Sequence, residues 1–520
     1  MSWEEEVARI QRRREQALAQ GGEEAVARQH GKGRLTVRER IQALLDRDSF
    51  QEEGPIAGTA EAGPGEAGEA FTPANFVLGT GRIEGRSCVV GGEDFTLQGG
   101  SPNAAGLRKS VYAEELACHL RLPLVRLHEG GGGSVTGAKG KSAASGPVGD
   151  PVFAVPRFAS VARALGTVPV VAAALGPVAG LPAARLVASH FSVMTRHTAQ
   201  VLIAGPAVVD RAMRETISKE DLGGAEVHGR NGVVDNVAED EEEAFIQIRR
   251  FLSFLPANVW EAAPRMPCDD PPGRSEEALL SIVPRERRKV YDMRALLGHV
   301  LDRDSFFESG RGFGPGLIVG LGRLGGQPVG IMANDCRHYA GAMTAAAAQK
   351  ARRLMDLCET FHLPIVNFVD EPGFMIGLEA ERAATIRHGT TAVLAAASAT
   401  VPWASVIVRK VFGVAGAAHF GPDAHVLAWP SAEQGALPLE GGVAVAFGRE
   451  IAAAEDPDAR RLELEEEFAA RQSPFPRAES FAVHDLIDPR ETRPRLCAWV
   501  DRIQTRLKHH LGPSSFPYRP

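Results

Sequence analysis

Leu45-Asp46-Arg47-Asp48-Ser49-Phe50 occurs twice in this chain: residues 301–306 read Leu301-Asp302-Arg303-Asp304-Ser305-Phe306. A glutamate follows each run two residues later, as Glu52 and Glu308. The copies lie 256 residues apart. Working outward, Gly81-Arg82-Ile83 with Gly85 returns as Gly322-Arg323-Leu324 with Gly326, 241 residues on. Leu122-Pro123-Leu124-Val125 returns at the same offset of 241 as Leu363-Pro364-Ile365-Val366. Thr167-Val168-Pro169 returns as Thr400-Val401-Pro402 after 233 residues. Four matches in one order, with a slowly shrinking offset, describe a duplicated fold of roughly 230–250 residues per copy. That period is far too long for a solenoid or propeller. Two copies imply two equivalent clefts.

Length agrees with duplication, because 520 residues exceed the size at which one hydrophobic core keeps growing. The expected division is 1–265, a linker at 266–284 holding Pro267, Pro271, Pro272 and Gly273, and 285–520. An apolar content of 44% and a charged content of 24% are ordinary for a soluble globular protein. A net charge of −7 argues against general nucleic-acid binding. The start, Met1-Ser2-Trp3-Glu4-Glu5-Glu6, is unlike a secretory signal. No apolar run approaches the roughly 18 residues a membrane span needs. Six scattered cysteines without a C-x-x-C pair argue against zinc and for reduced thiols in a cytoplasmic setting. No resident metal is expected.

The pattern predicts helices over 3–28 and over 36–45, the second opened by Thr36. Residues 53–75, rich in Gly, Ala, Pro and Glu, read as an exposed loop. Short strands near 77–81 and 88–90 follow, then a helix over 103–121, a strand over 122–127, a helix over 151–165 and a strand over 168–175. The second copy reads the same way: helix 341–361, strand 363–369, helix 379–398, strand 401–408. This alternation predicts α/β layering with largely parallel strands.

Two kinds of segment can carry chemistry. The first is Glu129-Gly130-Gly131-Gly132-Gly133-Ser134, at a strand's carboxyl end, where glycines let a ligand approach the backbone. It matches neither a P-loop nor the dinucleotide fingerprint. Its counterpart, Asp370-Glu371-Pro372-Gly373-Phe374, is not glycine-rich, so the two clefts have diverged. The second is Ala179-Gly180-Leu181-Pro182 in the first copy and Phe412-Gly413-Val414-Ala415-Gly416 in the second; Gly180 and Gly413 are 233 residues apart. Where a strand turns into a helix, small residues leave N–H groups aimed at a ligand, and a pair of them makes an oxyanion hole. Tight strand–helix packing asks for the same residues.

Beyond these, the chain resembles the carboxyltransferase (beta) subunits of biotin-dependent acyl-CoA carboxylases, especially the propionyl-CoA type. The resemblance runs from about Gly31 to the end. Gly31-Lys32, Arg34-Leu35-Thr36 and Arg38-Glu39-Arg40 carry it, with Glu93-Asp94-Phe95-Thr96 and Gly99-Gly100-Ser101. So do Glu220 with Leu222-Gly223-Gly224-Ala225, Tyr291-Asp292-Met293-Arg294, Pro372-Gly373-Phe374, Ile386-Arg387-His388-Gly389, Arg409-Lys410 and Ala428-Trp429-Pro430.

The resemblance implies a crotonase-like fold in each copy, with acyl-CoA on the N-terminal copy and biotin on the C-terminal copy of a neighbouring subunit. It implies a homohexamer. It implies transfer of CO2 from carboxybiotin to the α-carbon of an acyl-CoA through an enolate, without a side-chain base. The enolate would rest on the N–H groups of Gly180 and Leu181, and the biotin ureido oxygen on those of Val414 and Ala415. Gly130, Gly131, Gly132 and Gly133 would lie against the substrate, and Ala417 would stand at the acyl-selectivity position. Arg108, Lys109, Lys139 and Lys141 are candidates for the coenzyme A phosphates, or solvated surface. The family usually has Ala-Gly-Gly-Ala where this chain has Ala179-Gly180-Leu181-Pro182, and Tyr-Gly-Gly-Ala-Tyr where it has Phe412-Gly413-Val414-Ala415-Gly416. No Ala-Met-Lys-Met motif occurs, which places biotin on a partner, the biotin carboxylase/biotin carrier (alpha) subunit. The same half-reaction run in reverse, in a decarboxylase, and a non-catalytic scaffold stay open as alternatives. His128, His190 and His197 read as structural.

Overall fold

The computed structural model describes residues 2–61, 70–131, 158–471, 473–516 and 518–520. Two compact units emerge, Met1–Val259 with Pro517–Pro520, and Trp260–Phe516. The first contains strands β1 (Gln51–Glu52), β2 (Gly58–Glu61), β3 (Ala70–Pro73), β4 (Phe76–Ile83), β5 (Arg86–Glu93), β6 (Leu124–Gly130), β7 (Val170–Ala179), β8 (Phe191–Thr195), β9 (Gln200–Leu202) and β10 (Asn236–Ala238). Eight of them form one sheet in the order β1-β4-β5-β6-β7-β8-β10, with β9 also pairing β7. The second unit contains β11 (Phe307–Ser309), β12 (Leu317–Leu324), β13 (Gln327–Asn334), β14 (Ile365–Glu371), β15 (Trp403–Phe412), β16 (His425–Ala428), β17 (Glu433–Gly435) and β18 (Asp485–Leu486). Its sheet has the matching order β11-β12-β13-β14-β15-β16-β18, with β17 also pairing β15. Each sheet opens with three antiparallel strands, the second and third forming a hairpin, and is parallel from its third strand on. This is the duplicated crotonase-like α/β fold.

The repeated motifs explain each other. Asp46 accepts hydrogen bonds from the N–H groups of Glu84 and Gly85 at 2.9 and 2.8 Å. Asp302 accepts from Gly325 and Gly326 at 2.9 and 2.7 Å. Each aspartate therefore holds the turn of the hairpin that its sheet is built on. Ser49 and Ser305 accept from the N–H groups of Arg82 and Arg323, both at 3.1 Å. A Cβ on Gly81 would stand 2.4 Å from Leu45, so the leucine of one motif requires the glycine of the other. Arg38 grips Glu52 with both ends of its guanidinium at 2.9 and 3.1 Å, as Arg294 grips Glu308 at 2.9 and 2.6 Å.

Local chemistry sets the helix limits. Thr36 and Glu39 form a reciprocal capping box at the start of Val37–Leu44. Asp292 caps Met293–Val300 at the corresponding place. The helix expected over 3–28 is instead two, Glu4–Leu18 and Glu23–His30. They break at Gly21-Gly22, where a Cβ on Gly21 would lie 2.3 Å from the Thr96 carbonyl oxygen and Gly22 has φ +85. The helix expected over 379–398 likewise splits into Leu378–Arg382 and Thr385–Ala397, at Ala384 with φ 54. The loop expected over 53–75 carries the β2–β3 antiparallel pair. Of the helix expected over 151–165, Ala159–Leu165 is helical and 151–157 lie outside the described residues.

Candidate active site

The long strand β7 pairs β8 along its first part and β9 along its last, so its carboxyl end stands clear of β8. There the chain turns at Gly180 into the helix Leu181–Val187. Gly180 has φ 65 and ψ −124, a conformation open to glycine and costly for other residues. Its N–H donates to the Leu202 carbonyl at 3.3 Å. The second unit makes the same corner after β15: Gly413 has φ 62 and ψ −162, and its N–H donates to the Gly435 carbonyl at 3.2 Å.

The N–H of Gly180 is engaged by its own sheet. Leu181 begins the helix, Pro182 has no N–H, and Ala183 follows, so Leu181 and Ala183 carry the first-turn donors. In the second unit Val414 and Ala415 begin a 3-10 turn, Val414–His419, so their N–H groups precede the turn's first internal bonds. Val414 is 64% exposed and Ala415 is buried. Ala417, on the same turn, is exposed.

A buried carboxylate supports each corner. The parallel ladder slips at a bulge between His128 and Gly130 on β6, and between Val369 and Glu371 on β14. The bulged residues are Glu129 and Asp370, both fully buried. Glu129 stands 2.6 Å from Arg34 and 2.6 Å from Arg40, and accepts from Gln29. Gly176 makes room for it, because a Cβ there would lie 2.4 Å from the carboxylate. Asp370 is held by Arg409 at 2.9 Å and by the Tyr291 hydroxyl at 3.0 Å. One residue on, Glu371 accepts from the Gly373 and Met343 N–H groups at 3.0 and 3.2 Å. Its other oxygen lies 3.2 Å from Nε2 of His419, the last residue of the donor turn. Burial pushes the Glu371 carboxyl above its ordinary value, against the pull of His419.

On the other face of β6 lies a second buried cluster. Glu114 takes an ion pair from Arg126, a hydrogen bond from Ser160, and the guanidinium of Arg185 at 2.9 Å. Arg185 also donates to Ser110 at 2.9 Å. Glu93 stands 3.1 Å from His128. Burial pushes Glu93 up, but His128 and then Arg185 hold it below the ordinary carboxylate value. Leu181, Pro182, Arg185, Ser110, Glu93 and Asn75 all line one small cleft, with room for about one water molecule.

Gly130 is buried and Gly131 partly so; the Gly131 N–H donates to Gly99 at 3.2 Å. A Cβ on Gly130 would lie 2.8 Å from the Gly100 oxygen, so this glycine is required by packing. Gly132, Gly133, Ser134, Lys139 and Lys141 lie outside the described residues. Arg108 is exposed. Lys109 turns inward: its ammonium donates to the Gly54 carbonyl at 3.2 Å and stands 3.8 Å from Glu52. Burial lowers its pKa to about 8. Its ammonium is turned away from solvent. His128 and His190 are buried and hydrogen-bonded.

Reading the sequence missed Arg185 and Glu114. The only signal was charge inside an otherwise apolar strand, at Arg126, His128 and Glu129. Among the described residues, no helix is long and apolar enough to cross a membrane.

Duplicated sheets, twin glycine corners and buried acids define a carboxyltransferase architecture, and the carboxyl transferase domain matches residues 28–510. The chain belongs to this family, that of the carboxyltransferase subunits of biotin-dependent acyl-CoA carboxylases. The propionyl-CoA carboxylase carboxyltransferase subunit of Haloferax mediterranei is 35% identical over 98% of each chain. Subunit alpha of methylmalonyl-CoA decarboxylase from Veillonella parvula is 34% identical, over 92% of this chain and 91% of its own. The transcarboxylase 12S crystal structure, described as a hexamer assembly with methylmalonyl-coenzyme A and methylmalonic acid bound, superposes with a TM-score of 0.86. It is 32% identical and the match covers 97% of this chain and 96% of that one.

Proposed function

We propose that this chain carboxylates a small acyl-CoA at its α-carbon, with the thioester in the first unit and biotin, carried on a partner subunit, at the second. The pair of glycine corners, one per unit, carries this reading. The thioester oxygen accepts the Leu181 N–H, joined by that of Ala183. Negative charge grows on that oxygen as the α-proton leaves, so a fixed donor favours the transition state over the ground state. Biotin, when bound, supplies the carboxyl group and the base that takes the α-proton. The Val414 and Ala415 N–H groups fit a ureido oxygen, because they open a short turn whose first residue faces solvent. Glu371 and His419 hold that turn in place from beneath. Arg108 remains a candidate for a coenzyme A phosphate, as do Lys139 and Lys141.

The transcarboxylase likeness supports a homohexamer. The Veillonella relative favours a second reading, the same half-reaction in the decarboxylating direction. The deciding experiment reconstitutes the chain with its biotin-carrying and carboxylase partners. Labelled bicarbonate should enter acetyl-, propionyl-, butyryl- or branched acyl-CoA. No labelled product from any of them, together with no biotin-dependent decarboxylation of malonyl-type esters, overturns both readings.

A further inference from the structure

Arg185 is 3% exposed, yet its guanidinium is incompletely used. Nη1 donates to Ser110 at 2.9 Å. Nε stands 2.9 Å from Glu114 but off the line of a hydrogen bond, and Nη2 has no partner. Buried donors are almost always satisfied, so an unpartnered one needs a reason. Two neighbours share the condition: Nη1 of Arg126 and Nε2 of His128 are also buried without a partner.

Arg126 and Arg185 both meet Glu114, with Glu93 and His128 beside them. Arg185 lines a cleft beside Leu181 and Pro182. Leu181 and Arg185 are four residues apart on one helix, hence on one face. Helical side chains lean toward the N-terminus, which brings the guanidinium back toward the Leu181 turn.

We propose that Arg185 is a specificity-determining residue that binds a carboxylate carried by the acyl group of the thioester. The inference rests on the reading that an acyl thioester occupies this cleft. Two sources could supply that carboxylate: the group the reaction installs at the α-carbon, or a second acid at the far end of the acyl chain. Both present two oxygens to a planar fork of N–H donors, the geometry a guanidinium matches best.

Calorimetry on the full chain tests this with neutral and charged esters of matched shape. The pairs are methylmalonyl-CoA against 2-methylbutyryl-CoA, and glutaryl-CoA against hexanoyl-CoA. The charged member of at least one pair should bind about ten- to a hundredfold more tightly, the worth of a hydrogen bond to a charged group. The pair that shows the preference identifies the source. Arg185→Met should bring the ratio close to one, and Arg185→Lys should keep part of it. Should Arg185→Met fail to fold, the wild-type pairs and Arg185→Lys decide. Equal affinity within both wild-type pairs, or an unchanged ratio in Arg185→Met, overturns the role of Arg185 and leaves the thioester reading standing. Failure of all four esters to bind overturns that reading instead.

Discussion

Pro182 holds in the first unit the place that Ala415 holds in the second, 233 residues on and two positions beyond the matched corners Gly180 and Gly413. The second unit thus offers adjacent donors at Val414 and Ala415, whereas the first offers Leu181 and then a gap. Restoring the missing N–H with Pro182→Ala should raise kcat with little change in KM. An increase of roughly tenfold is expected, part of the ~10²–10³ lost when one such donor is removed elsewhere. Steady-state kinetics on the reconstituted enzyme decide it, and an unchanged or lower kcat would count against Leu181 as a donor.

The corner glycines are tied to backbone shape. Gly180→Ala and Gly413→Ala each place a Cβ on a residue with φ near +60. The strain costs about 1–3 kcal/mol and moves the donors that follow. We expect each variant to stay folded by circular dichroism while kcat falls more than KM rises. Equal loss of folding and activity would make these glycines purely structural.

Acid stability should depend on Glu93. Its folded pKa lies below the ordinary 4.5 because His128 and Arg185 outweigh burial. A carboxyl with a depressed folded pKa stabilises the fold above its unfolded value and loses that contribution as pH falls through the folded one. Denaturant midpoints should therefore fall with pH below about 4.5 in the wild type. In Glu93→Gln the slope should be shallower and the midpoint lower at neutral pH. Parallel curves would show that Glu93 is not the group responsible.

The duplicated aspartates offer a test inside one molecule. Asp46→Ala leaves the N–H groups of Glu84 and Gly85 without their acceptor. Hydrogen exchange at these two amides should speed up by roughly tenfold or more, the equivalent of about 1.4 kcal/mol. Exchange at Gly325 and Gly326 should not change. Asp302→Ala should reverse the pattern, and a rise at both hairpins in either variant would refute local locking.

Much of the fold was legible because its repeated motifs touch. Leu45 requires Gly81, and Asp46 requires the turn after Arg82, so both survive together in both copies. Helix starts were legible at Thr36, whose cap lies within three residues. The break at Gly21 was not, since its cause, Thr96, lies 75 residues away. The same limit hid much of the site. Glu114 meets Arg185 only after folding, across a helix and a strand, and no spacing announces it. That Gly180 donates to Leu202 depends on β9 pairing the end of β7, a contact without a local pattern. The inward turn of Lys109 was not legible either, since a lysine in sequence carries no sign of which way it points.

The paired locks at Asp46 and Asp302 have an evolutionary consequence. Each sheet secures its own hairpin with its own aspartate. Residues at one corner are free to drift while the other keeps its geometry. The leucine and proline after Gly180, beside the valine and alanine after Gly413, record such separate histories written onto one inherited scaffold.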